Sequence, residues 1–134
     1  MFVTSDKAIR LFEFILRMPI RAIAIFPFVF MRSNANPDDV LRNHERIHLR
    51  QQLELLVIPF YIWYLIEYYR KGYMNICFEK EAYANEKDLT YLKKRKWFNF
   101  RKYFKDDKLE YFKENPPFDN NKISYEEWLK EKRN

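Results

Sequence analysis

Residues 36–57 read Asn36-Pro37-Asp38-Asp39-Val40-Leu41-Arg42-Asn43-His44-Glu45-Arg46-Ile47-His48-Leu49-Arg50-Gln51-Gln52-Leu53-Glu54-Leu55-Leu56-Val57. The opening is a helix start. Asn36 offers an N-cap side chain, Pro37 sits where a missing N–H is harmless, and two acids face the positive dipole end. The helix this predicts runs from about Pro37 to about Val57. Within it, His44-Glu45-Arg46-Ile47-His48 is H-E-x-x-H. Residues four apart lie one turn apart on one face, so two imidazoles reach the same ion. Glu45 stands beside the first histidine and is placed to hold a metal-bound water as general base rather than to ligate. Helical projection puts Val40, Ile47 and Leu55 beside the histidine face and Arg42, Arg46 and Arg50 on the far side, away from a cation.

The rest of the composition narrows the choice. At 134 residues, 48% hydrophobic and 19% aromatic, the chain suits one domain with a real core. A single glycine excludes glycine-rich phosphate loops and argues against an all-β fold with many tight turns. One cysteine excludes an internal disulfide and any Cys-cluster zinc site. The net charge of +6 permits an anionic partner without demanding one. Asp6, Glu13, Arg17 and Arg21 break any signal-peptide pattern, and the uncharged runs 22–31 and 55–66 fall short of the ~20 residues a membrane helix needs. The expected location is cytoplasmic, with peripheral contact at the inner membrane face left open.

Residues 7–18 have helical apolar spacing that Pro19 ends. Residues 22–31 read as one strand, placed at a sheet edge because Pro27 cannot donate to a ladder. Pro59 kinks the long helix or opens a second one, from Phe60 to about Arg70, with Gly72 as its cap. A further helix is predicted from Phe78 to about Lys96. Pro116-Pro117 then breaks the chain, and Ser124 with Glu127 forms a capping box for a last short helix. The predicted organisation is one domain over 1–115 and a tail over 116–134. Residues 55–69 are apolar almost all round, fitting a buried helix over the histidine helix or, with Trp63, insertion into a membrane interface. Residues 93–105 interleave seven basic residues with five aromatics. They suit a solvated helix end, or contact with anionic lipid or single-stranded nucleic acid. Cys77 reads as a small buried residue ahead of a metal-blocking thiolate, and Gln51 as a plain polar helix residue ahead of a cleft-lining one.

A zinc site needs a third protein ligand and an open position. With both histidines used, a carboxylate must supply it, and Phe78-Glu79-Lys80-Glu81-Ala82-Tyr83-Ala84-Asn85-Glu86 offers three. Here the chain resembles the gluzincins, zinc metallopeptidases with two histidines from H-E-x-x-H and a downstream glutamate. It is close in size to the minigluzincins, and it is also similar to small bacterial zincin-like proteins reading H-E-x-x-H-x-x-Q and then F-E-x-E-A. The membrane-type gluzincin motif E-x-x-A-D fits twice, with Tyr83 or Asn85 where the aspartate belongs. Glu79 is favoured as ligand, with Glu81 as the alternative; the other glutamate, with Asn85, would then brace the ligands. The resemblance covers residues 22–92.

It implies a mostly helical α+β domain, zincin-like, with a small sheet packed on the H-E-x-x-H helix. It also implies one Zn²⁺ per chain on His44, His48 and a glutamate, and hydrolysis of peptide bonds in a peptide or protein substrate with Glu45 as general base. An edge strand including Ile23 and Ile25 would pair with extended substrate, and Tyr83 would supply an oxyanion donor. The alternative is a non-catalytic zincin-fold interaction protein that binds an anionic membrane through its basic aromatic segment, nucleic acid being the less favoured partner. Retention of Glu45 favours the enzyme.

Overall fold

The computed structural model describes residues 1–33 and 38–105, together with positions 110, 112, 123, 124 and 127. Its elements in chain order are β1 (Phe2–Thr4), α1 (Asp6–Leu16), β2 (Ala22–Ile25), β3 (Phe28–Met31), α2 (Asp39–Leu55), α3 (Val57–Lys71), α4 (Cys77–Asn85) and α5 (Tyr91–Lys94). Short 3-10 segments at Tyr73–Asn75 and Asn99–Tyr103 flank the last two helices. The domain is mostly helical with one small sheet, an α+β arrangement.

The sheet differs from the single edge strand expected over 22–31. The chain turns at Phe26-Pro27, and the two halves pair antiparallel, Ile23 opposite Phe30 and Ala24 opposite Val29. Pro27 therefore occupies the turn, where its lack of an N–H costs no ladder bond. β1 adds in parallel on the other side of β3, giving the order β1-β3-β2. The edge position expected for Ile23 and Ile25 holds for β2, while β3 is central.

α1 is capped by the Ser5 hydroxyl, which accepts from Ala8 N–H at 3.2 Å, and ends at Arg17 in the left-handed region. Asp38 caps α2, accepting from Leu41 N–H at 2.8 Å; the expected cap Asn36 lies outside the described residues. α2 and α3 meet at one residue, Leu56, so Pro59 opens the second helix from within its first turn, where no intrahelical N–H bond is lost. Gly72, with φ 82°, closes α3 by donating its N–H to Tyr68 O at 3.0 Å. The long helix expected over 78–96 is two short ones, because the chain turns after Asn85 and the Asn43 side chain gathers the carbonyls of Asn85, Glu86 and Asp88. The capping box is present, Ser124 and Glu127 each accepting from the other's N–H. The expected Pro116-Pro117 break and domain boundary lie outside the described residues.

α2 packs between β2 and α4. Its far face carries the arginines as expected, with Arg42 and Arg46 over the Phe2 ring and Arg50 over Trp97. α3 supplies Phe60, Tyr64 and Tyr68 to the main core, joined there by Ile9, Ile23 and Phe78. A smaller cluster of Ile47, Ala82 and Tyr91 fixes how closely α4 approaches α2. Ala82 is fully buried against Ile47, so a larger side chain there must push the two helices apart. Ala82→Leu is expected to destabilise the protein by about 1–3 kcal/mol in chemical denaturation, the range for overpacking.

Candidate metal centre

The histidines on consecutive turns of α2 face the first turn of α4. Glu79 Oε1 lies 3.2 Å from His44 Nε2 and 3.1 Å from His48 Nε2, and the two nitrogens are 3.1 Å apart. All three residues are buried. Three potential ligand atoms thus converge on one point, and this group could hold a metal ion. Of the two glutamates weighed from the sequence, Glu79 is the one that reaches the histidines.

Each member is held from behind. His44 Nδ1 is 2.7 Å from Glu86 Oε2, and His48 Nδ1 is 2.8 Å from Gln51 Oε1. Tyr64 donates its hydroxyl to Glu79 Oε2 at 2.7 Å. Glu81 lies behind Gln51, accepting from its Nε2 at 2.8 Å and from Tyr91, Asn99 and Arg95. Arg95 also spans to Glu54, with bonds of 2.7 and 2.9 Å. Glu81 therefore supports His48 through Gln51 rather than facing the Nε2 atoms of the histidines.

Two expectations are corrected here. Asn85 does not brace a histidine: its side chain donates to Glu81 O and Tyr103 Oη, and Glu86, one residue on, braces His44 instead. α4 ends at Asn85, and the turn that follows carries the next side chain back toward α2. Gln51 is neither a solvated polar residue nor a cleft wall but a buried link between His48 and Glu81. Tyr83 sits edge-on to the His44 ring, centroids 4.5 Å apart, with its hydroxyl 2.9 Å from that of Tyr73. Cys77 behaves as expected of a small buried residue, its thiol donating to Glu67 at 2.8 Å.

A cleft of about 840 Å³ opens onto the histidines, with Glu45, Ile23, Tyr61, Tyr64 and Tyr83 among its walls. Ile25 is not among them. Glu45 is buried, and burial raises its carboxyl above the usual range despite the neighbouring imidazoles. Burial pulls His44 down, but hydrogen bonds to Glu79 and Glu86 outweigh it and lift the imidazole to about 10. His48 is raised in the same contest, chiefly by the charge of Glu79. Glu79 goes the other way: burial opposes ionisation, yet the two imidazoles hold its carboxyl far below the usual carboxylate range.

Comparisons with protein-family models, with curated proteins and with solved structures return no match. Among the described residues no helix is long and apolar enough to cross a membrane.

The pH dependence follows from the direction of these shifts. A histidine whose folded pKa exceeds its unfolded value contributes stability that is full below about 6.5 and is lost as pH rises toward 10. Chelator-treated protein is expected to melt at progressively lower temperature from pH 7 to pH 10. His44→Gln should melt lower at pH 7 and show a flatter profile, as followed by circular dichroism.

Proposed function

We propose that the chain is a zinc-dependent metallopeptidase of gluzincin type. The observation that carries this reading is the convergence of His44, His48 and Glu79 with Glu45 beside them on the cleft wall. Two imidazoles and a carboxylate are a donor set that suits zinc. With zinc–nitrogen bonds of about 2.0–2.1 Å, ligand atoms of a tetrahedron lie roughly 3.3 Å apart. The three atoms here are 3.1–3.2 Å apart. Bound there, zinc would supply a Lewis acid and a water acidified toward pKa ~7.

The chain's own residues do the remaining work. Gln51 Oε1 and Glu86 Oε2 accept the Nδ1 protons, so Nε2 is the nitrogen on each ring that would give up its proton to bind an ion. Tyr64 holds the outer oxygen of Glu79, keeping Oε1 on the histidine side. The Glu45 carboxylate takes the proton of the attacking water and returns it to the leaving amine nitrogen. The Tyr83–Tyr73 pair lines the cleft and offers a phenolic donor to the oxyanion; burial and the charge of Glu79 keep Tyr73 protonated.

Extended substrate would pair with the free edge of β2, but only along part of it. Ala24 O is already claimed by Gln52 Nε2, at 2.7 Å, and by the Tyr61 hydroxyl, while Gln52 Oε1 takes Phe26 N–H at 2.7 Å. Pairing is left to the Ala22 end of the strand, which together with Ile23 borders the cleft.

Elemental analysis is expected to find about one zinc per chain, lost in His48→Ala and in Glu79→Ala. Glu45→Gln should keep the metal and lose at least 10²-fold in peptide cleavage. Unchanged cleavage by that variant would sink the mechanism, and a zinc-loaded protein cleaving nothing would leave the interaction-protein reading in its place. Gln51→Ala should weaken zinc about 10–100-fold in competition with a chromophoric chelator, while Tyr69→Ser, at an exposed position outside the cleft, should leave affinity unchanged.

A further inference from the structure

We infer that the corner joining α2 to α3, together with the segment that folds against it, is a docking surface for an anionic phospholipid bilayer. Leu56, the single linking residue, adopts φ 69° and ψ 156°. This region is essentially reserved for glycine. Gly72 at the other end of α3 has nearly the same angles, φ 82° and ψ 160°. At the corner the chain instead keeps a leucine whose side chain points into solvent, 68% exposed. Packing does not repay that strain.

The neighbours of Leu56 are of the same kind. Leu53 precedes it and Ile58 follows, both exposed. Glu54 draws in the next contributor, accepting from Phe98 N–H at 2.8 Å. Phe98 likewise has a positive φ without being glycine, and Trp97 beside it is 58% exposed. Along α3 the apolar face continues through Ile62, Ile66 and Tyr69, one turn apart and all exposed.

Charge selects the occupant. Arg50 lies over the Trp97 ring and Arg101 over the Phe98 ring, 5.6 and 5.9 Å from the centroids, so cations frame the apolar tip. Lys96, next to Trp97 in the chain, is exposed, and no acidic residue occurs from Leu89 to Lys105. The nearby Glu54 carboxylate is consumed by Arg95 and Phe98 N–H. Aliphatic tips with tryptophan and framing arginines match a headgroup layer over acyl chains. At the corner itself Leu53, Leu56 and Ile58 are aliphatic and offer no ring for a base to stack on, which favours a bilayer over single-stranded nucleic acid.

The test is co-sedimentation of the full chain with phosphatidylcholine vesicles, alone or carrying one third phosphatidylglycerol. The expected result is binding to the anionic vesicles at least tenfold stronger than to the neutral ones. Leu56→Gly removes the side chain while easing the backbone, so it should melt no lower than wild type yet partition about tenfold more weakly; Trp97→Ala should act alike. A single-stranded oligonucleotide should not displace the protein. Failure to sediment with anionic vesicles, equal binding by both variants, or displacement by the oligonucleotide would each overturn the inference. The readout needs neither metal nor peptidase activity, so it stands apart from the reading of the cleft.

Discussion

A carboxylate taken out of water between two imidazoles is the constraint on which the rest of the structure depends. Glu79 Oε1 sits within 3.2 Å of both His44 and His48, and every one of these groups is buried. Buried charge is tolerated only when it is paired and its remaining hydrogen-bonding capacity is met. The surroundings meet it: Glu86 behind one ring, Gln51 behind the other, Tyr64 on the free carboxylate oxygen. Gln51 must itself be satisfied, which requires Glu81, which in turn requires Arg95 and, through it, Glu54. The polar core is thus one chain of dependence running from the cleft to the C-terminal end of α2.

The legible part of this in the sequence was local. H-E-x-x-H fixes its own geometry through the turn of the helix, so His44, Glu45 and His48 could be read without knowing the fold. The arginine face opposite was equally legible, because projection depends only on helical period. Ala82 could be noticed as small, and the structure shows why: it is where α4 meets Ile47.

What stayed hidden depends on chain reversals. Glu79 and Glu81 differ by two residues, and only the placement of α4 against α2 decides which one meets the histidines. Glu86 was visible as an acid but not as the brace of His44, since the turn after Asn85 that carries it there is set by Asn43 gathering three carbonyls. β1 is three residues long and has strand character only because β3 stands beside it. The single strand expected over 22–31 is a hairpin for a simpler reason: a missing N–H suits Pro27 equally to a sheet edge or a turn, and here the chain reverses at it.

The one-residue joint at Leu56 has a mechanical consequence. α2 carries both histidines, and α3 carries the tyrosine that holds Glu79. A connection of several residues would let the two helices slide and swing independently. With a single residue between them, and with Arg95 holding Glu54 two residues before the joint, neither helix can slide along its axis without moving the other. A displacement at the elbow is therefore felt on two sides of the cleft at once, at the histidines on α2 and at the Tyr64 hydroxyl behind Glu79.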